Sequence, residues 1–343
     1  ALLFAGLGIQ SSVAGVPSRQ FQQIQQYQML VSENPSATNQ DKVELAEVLR
    51  GQDIQAYQKI YSKTLDKDFK GKAGLQTITL MMTEKEDLTP FIHLQDHQQE
   101  LTLKDGVVIT AKLAQLAGVK VGQSLEIEGK ELTVAAIAEN YVGHFIYMSQ
   151  SNYEQLYGQL PQANTYLVTL KDSSATSIER QAGLLMNQSA VSSVVQNASA
   201  IRLFDSVASS LNHTMTILVI VSVLLAIVIL YNLTNINVAE RIRELSTIKV
   251  LGFHNNEVTL YIYRETIVLS LVGIVLGLVS GFYLHQFLIQ MISPATILFY
   301  PQVGWEVYVI PVAAVSIILT LLGFFVNHHL RKVDMLEALK SVE

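Results

Sequence analysis

Four histidines, His93, His97, His144 and His213, carry the side chains best suited to acid–base or metal chemistry in the first two-thirds of this sequence. None stands in an HExxH pair, and no serine stands in a GxSxG elbow. His144 lies among aromatics in ENYVGHFIYMS, the setting of a structural hydrogen-bonding histidine. The pair His328–His329 borders an apolar run, where an interfacial anchor is expected; a zinc site would need further ligands that the neighbouring tail does not offer. There is no cysteine, which excludes disulfides, thiolate metal sites and cysteine nucleophiles. No GxxxxGK[ST] loop is present to cradle nucleotide phosphates. A net charge of −6 with no basic stripe argues against nucleic acid as a partner. The residues therefore point away from an enzyme, and no cofactor is expected.

The elements behind those residues say more. Half of the chain is apolar and 15% is charged, well below the roughly 25% of a soluble domain. The shortage lies after about residue 214. Residues 215–231, 266–284 and 307–326 are each long enough to cross about 30 Å of hydrocarbon and carry no Asp, Glu, Lys or Arg. The connection between the first two holds Arg241, Arg243, Lys249 and Arg264, and the tail holds Arg331, Lys332 and Lys340. Residues 289–306 hold neither Lys nor Arg. The positive-inside rule places the basic connection and the tail in the cytoplasm, with residues 289–306 and the large polar region outside. Trp305, Tyr300 and Tyr308 fall at the expected interfacial belt. Residues 1–10, ALLFAGLGIQ, are apolar over half a span and lack a basic start. They read as the outer part of a truncated transmembrane helix, with a mature terminus or surface anchor as the alternative.

Gly273, Gly277 and Gly281 recur at i, i+4 and i+8, a stripe that allows close approach of another helix. Pro311 sits near the outer end of the last span, where a kink is tolerated. Between the first two spans, Val238, Ile242, Leu245 and Ile248 recur at helical spacing, with charged residues on the other faces. Gly252 reads as a C-cap, and Asn255 or Asn256 as the cap of the next helix. A plain connector would need about 2–8 residues. The extra helix suits either docking of a partner protein or rest on lipid headgroups.

The run LYNLTNINVAERIRELSTIKVLGF, the closing VDMLEALKSVE and the external DGVVITAKLAQLAGVKVGQSLEI resemble the FtsX-like permease family with a MacB-like external domain. The resemblance covers essentially the whole chain and is nearest to the C-terminal half of long permeases of low-GC Gram-positive bacteria. It implies a membrane protein with an α-helical transmembrane region of four helices, the first truncated, plus an extracytoplasmic mixed α/β domain. The domains would be the truncated helix at 1–10, the α/β domain with its stalk at 11–213, and the permease domain at 214–343. It implies a coupling helix at 238–253 that seats in an ABC ATP-binding subunit through Glu240, Arg241, Arg243, Glu244, Lys249, Leu251 and Gly252. Other implied partners are a second permease half or protomer, membrane lipid, and an extracytoplasmic substrate or accessory protein. The implied location is the bacterial cytoplasmic membrane. Gly122-Gln123 stands where the family often has Gly-Asp, a departure in an external turn. The implied function is mechanotransmission for export. The alternatives are a signalling scaffold that regulates wall hydrolases or senses peptides without cargo, and a receptor without any ATPase.

Within residues 17–210 the pattern predicts strands at 22–31, 75–82, 107–110, 121–127, 132–138, 166–170 and 191–196. It predicts helices at 42–50, 111–118 and 175–186, and a helical stalk over 206–214. That alternation suggests a split α/β unit with a small β-rich insertion.

Overall fold

The computed structural model describes residues 1–69, 73–85, 87–97, 99–241, 244, 248, 251, 254–299 and 303–332. The chain divides into two compact units. One comprises Ala1–Val13, Ser209–Ile292 and Pro301–Glu343; the other comprises Ala14–Ala208 and Ser293–Tyr300.

The second unit is built on a nine-stranded sheet. Its strands are β1 (Met29–Glu33), β2 (Ile54–Phe69), β3 (Gly74–Thr83), β6 (Val107–Thr110), β7 (Ser124–Ile127), β8 (Lys130–Ala138), β9 (His144–Ser149), β10 (Thr165–Leu170) and β11 (Val191–Gln196), in the order β11-β1-β10-β2-β3-β9-β6-β8-β7. A separate two-residue pairing joins β4 (Gln95–Asp96) to β5 (Gln99–Glu100). The pairs β3–β9 and β6–β8 are parallel and the rest antiparallel. β2 is the longest strand, and its two ends serve different neighbours. Ile54–Ile60 pairs with β10, and Tyr61–Phe69 pairs with β3.

Two cores follow from that handover. Met29, Val31, Tyr166, Val168 and Leu170 from the strands pack with Leu45 and Leu49 of α3 (Asn39–Leu49) and Ile178, Ala182 and Leu185 of α6 (Ala175–Met186). At the other end Ile78, Leu80, Ile109, Leu132, Val134 and Ile146 pack with Leu113 of α4 (Ala111–Ala117) and Tyr153 of α5 (Gln150–Tyr157). The helix starts are fixed locally. Thr38 and Asp41 close a reciprocal capping box on α3, and Ser149 and Ser174 accept the N–H three residues on. Gly118 ends α4 at φ +71°, a left-handed position that favours glycine. The predicted strand at 22–31 is shorter than expected. Residues 16–24 form α2 (Val16–Ser18) followed by a π-helical turn (Arg19–Ile24), because Gln20 is buried there by hydrogen bonds to the 140–142 loop instead of joining a ladder.

The other unit holds α1 (Leu2–Ala14) through Val13, most of α7 (Asn197–Glu240), α8 (Asn255–Ile292) and α9 (Glu306–Lys332). Among the described residues, three helices are long and apolar enough to cross a membrane: Asn197–Glu240, Tyr263–Ile292 and Glu306–Asn327. They contain the predicted spans, and α7 takes in the predicted stalk without a break. α1 has 13 residues, short of a span. Leu224, Leu276 and Leu321 expose more than half of their surface, the outward face that lipid would cover.

Candidate functional site

The connection between α7 and α8 is positioned by the helices on either side. Tyr263, Ile318, Leu322 and Val326 form a buried cluster, against which Val223, Leu230, Val238 and Ile248 pack. The Tyr263 hydroxyl donates to the Leu319 carbonyl at 3.1 Å. Asn237 Nδ2 donates to Thr266 Oγ1 at 3.2 Å, and Thr266 is fully buried. Arg241 Nη2 meets Glu265 Oε2 at 2.5 Å across the base of α7 and α8, with both side chains partly exposed. Such a pair adds about 0–1 kcal/mol and mainly fixes orientation. α8 begins at Asn255, and the His254 N–H donates to Glu257 Oε2 at 2.9 Å; the side chains of Asn255 and Asn256, the expected caps, lie outside the described residues.

Within the predicted coupling helix at 238–253, Val238 and Ile248 of its apolar face pack against the helices, while Glu240 and Glu244, two of the residues expected to meet the ATPase, are exposed. Leu251 is 72% exposed, an apolar side chain left uncovered among the described residues. Arg243, Lys249 and Gly252 lie outside the described residues, as does the segment 333–343.

The glycine stripe meets α1 at one end. A Cβ at Gly281 would lie 2.7 Å from Phe4 Cβ and 3.1 Å from the Ala1 carbonyl oxygen. At Gly277 the Ala1 nitrogen is 3.5 Å away, and at Gly273 nothing lies within 4 Å. Sequence reasoning missed the reciprocal contact. A Cβ at Gly8 would lie 2.7 Å from His285 Cδ2, and Ser12 Oγ is 3.0 Å from His285 Nε2. The small residues in ALLFAGLGIQ were the available signal. His285 is wholly buried and pins α1 to α8 by one polar contact and close packing.

In the α/β unit, Ser293–Tyr300 is an integral part, although it lies between α8 and α9 in sequence. Val142 and Ile297 form an antiparallel bridge. The Gly143 N–H donates to the Thr296 carbonyl, and the Leu298 N–H to the Tyr141 carbonyl, each at 2.8 Å. The receiving loop is tied down by side-chain hydrogen bonds. Gln20 Nε2 donates to Asn140 Oδ1 at 2.8 Å, Gln20 Oε1 accepts from Tyr141 N, and Asn140 Nδ2 donates to the carbonyls of Val142 and Gly143. Lys112 Nζ reaches Ser293 Oγ at 3.4 Å, and Ser293 Oγ donates to the Ile297 carbonyl at 2.6 Å. Burial lowers the pKa of Lys112 from its ordinary value. His144 is 2% exposed, and its pKa is lowered by burial and then by the charge of Lys112.

The structure also gathers Asp96, His97 and Glu139, with ligand atoms all within 4.8 Å of one another. His97 is 89% exposed and the cluster lies open to solvent, with two carboxylates and one imidazole. Neither these groups nor His144 stands beside a serine nucleophile with a base in hydrogen-bond reach among the contacts of the described residues.

Residues 216–335 match the FtsX-like permease C-terminal family. Over 207 residues the chain is 25% identical to an uncharacterized ABC transporter permease protein of Mycobacterium tuberculosis (strain ATCC 25618 / H37Rv), covering 56% of this chain and 23% of that protein. The chain thus spans about a quarter of the length of the curated relative it matches. Among solved structures, it is similar to the periplasmic region of MacB from Actinobacillus actinomycetemcomitans, at 11% identity and a TM-score of 0.31, covering 53% of this chain and 94% of that one. It is also similar to the extracellular domain of the noncanonic ABC-type transporter YknZ from Gram-positive bacteria, at 16% identity and a TM-score of 0.29, covering 49% and 98%.

Proposed function

With residues 216–335 forming an FtsX-like permease C-terminal region, we propose that the chain is the membrane subunit of a mechanotransmitting ABC transporter of the bacterial cytoplasmic membrane. A partner ATPase docks on the cytoplasmic connection through Glu240, Arg241, Arg243, Glu244, Lys249, Leu251 and Gly252. Its closure moves the helices as rigid bodies, and the extracytoplasmic α/β unit is displaced for export. α1 serves as the outer portion of a fourth span, and a second permease half or protomer completes the assembly. ATP chemistry resides in the partner, since this sequence has no phosphate-cradling loop.

One observation carries the mechanical reading. The chain passes between the units at four places, Val13/Ala14, Ala208/Ser209, Ile292/Ser293 and Tyr300/Pro301. The helices α1, α7 and α8 therefore run up to or across a unit boundary, and the α8–α9 connection includes a segment, Ser293–Tyr300, that belongs to the α/β unit. Displacement of any of these helices pulls on it through the backbone. The spans also lack a polar pathway. Within Tyr263–Ile292 the buried ionisable group in the apolar stretch is His285, held by Ser12, so passage of a hydrophilic cargo through the bundle has no lining to use.

The test is the complex of full chain and ATPase carrying Glu244→Lys or Leu251→Asp. Both side chains are exposed, so the chain's own stability should change by less than about 0.5 kcal/mol. Burying a leucine contributes about 1.5–3 kcal/mol, so Leu251→Asp should weaken association by about tenfold to a hundredfold. Unchanged co-purification and unchanged stimulated ATPase activity in both variants would refute the docking assignment.

A further inference from the structure

Three segments of the α/β unit converge on one place. The Phe145 N–H donates to Thr110 Oγ1 at 3.2 Å, which sets the start of β9 beside the end of β6. Lys112 follows two residues after Thr110 and points to Ser293. Gly143, next to His144, holds Thr296 of the same returning segment. Lys112 and His144 are thus brought together under residues 293–296.

Their polar groups are not balanced. Lys112 is 8% exposed, and its hydrogen bond is a long one to a hydroxyl that already donates elsewhere. Among the described residues no carboxylate pairs with it. His144 is 2% exposed, and neither Nδ1 nor Nε2 has a partner. Proteins rarely bury a lysine unpaired, because desolvating the charge is expensive without a counter-ion. A buried lysine and a buried histidine with unpartnered ring nitrogens, both on segments that hold residues 293–296, have no carboxylate paired with them among the described residues and could receive an anion.

We propose that Lys112, His144 and Ser293 form a binding site for a phosphate group, supplied by a phospholipid headgroup. Chain position selects the source. Ser293 is the residue immediately after Ile292, where the apolar helix Tyr263–Ile292, long and apolar enough to cross a membrane, ends. Phosphate is the anion that a bilayer presents at that boundary. A lysine ammonium suits it as a point charge, and either neutral tautomer of His144 supplies one N–H donor. The site depends on the helix being a span and not on any ATPase, so its failure leaves the coupling assignment untouched.

The experiment uses the full chain in dodecyl maltoside, with native mass spectrometry counting retained dioctanoyl phosphatidylglycerol. Dioctanoylglycerol, with the same tails and no phosphate, and inorganic phosphate are the comparison probes. The wild type should retain the phospholipid and not dioctanoylglycerol. Lys112→Gln should weaken retention about tenfold or more, His144→Gln severalfold, and Lys112→Arg should keep most of it. Lys112→Met guards against a folding artefact, since removing an unpaired buried charge should leave the melting temperature equal or higher. Competition by inorganic phosphate as strong as that by the lipid would assign the site to free phosphate and overturn the lipid source. Equal retention by Lys112→Gln, or equal retention of dioctanoylglycerol, would overturn the site and leave lipid adhering to an apolar surface only.

Discussion

Pairing Val142→Cys with Ile297→Cys should produce a spontaneous disulfide that locks the 293–300 segment onto its loop. The hydrogen bonds on either side run from Gly143 N to Thr296 O and from Leu298 N to Tyr141 O, which makes Val142 and Ile297 a non-hydrogen-bonded antiparallel pair. Such pairs hold their Cα atoms about 4.5 Å apart, inside the span a disulfide accepts. The protein has no cysteine of its own, so the background is clean. The bond would close a loop of about 155 residues, which in the chain-entropy treatment raises stability by about 5 kcal/mol as an upper value. The assay is a non-reducing gel followed by urea unfolding with and without dithiothreitol, read by the change in midpoint. On the coupling proposed above, ATPase-linked activity should survive oxidation, because the cross-link only reinforces a bridge already present in the structure. A failure to cross-link under mild oxidant would mean the bridge does not exist in solution, and loss of activity on cross-linking with normal folding would mean that the segment has to detach during the cycle.

Three further outcomes follow from named contacts. Gly8→Ala places a Cβ within 2.7 Å of the His285 ring and should destabilise the helix unit by about 1–3 kcal/mol, whereas Gly273→Ala, with nothing within 4 Å, should be silent; equal melting temperatures would refute the close approach. His144 has a folded pKa below its ordinary value of about 6.5, so the unfolded chain takes the proton first on acidification. Stability should therefore be full above about pH 6.5 and fall below it, by at most about 1.4 kcal/mol per pH unit, and the fall should vanish in His144→Gln; a variant that tracks the wild type between pH 7.5 and 5.5 would contradict this. Thr38→Ala removes the side-chain half of the α3 capping box and should cost about 1 kcal/mol in urea unfolding, with Thr38→Ser close to wild type.

The parts of this protein that could be read from sequence are those whose signals are local. The three spans declare themselves by length and missing charge. The run from Val107 to Ile127 was readable because a buried strand, a helix of about two turns and a left-handed Gly118 follow one another without tertiary help. β2 escaped notice for a physical reason. It changes neighbours at Ile60/Tyr61 and buries Ile54, Ile60, Leu65 and Phe69 among lysines, glutamines and aspartates, so no single period of two runs through it. β9 was hidden inside the aromatic stretch around His144. Nothing in SPATILFY announces that it belongs to a distant sheet unit, since backbone pairing leaves no mark on residue type. The segment between α7 and α8 was legible as an amphipathic charged connection, but which charges pair, such as Arg241 with Glu265, depends on how α7 and α8 return. The Gly8–His285 contact needed both helices at once.

The return of Ser293–Tyr300 makes the α/β unit discontinuous in sequence. A fragment cut at residues 14–208 would lack that segment, leaving the Tyr141 carbonyl and the Gly143 N–H without their partners and Lys112 without its hydroxyl. Such a fragment is a receptor with an empty slot of known register. A synthetic octapeptide, SPATILFY, added in trans should reconstitute it. The membrane protein thus carries within itself the two halves of a split-protein reporter.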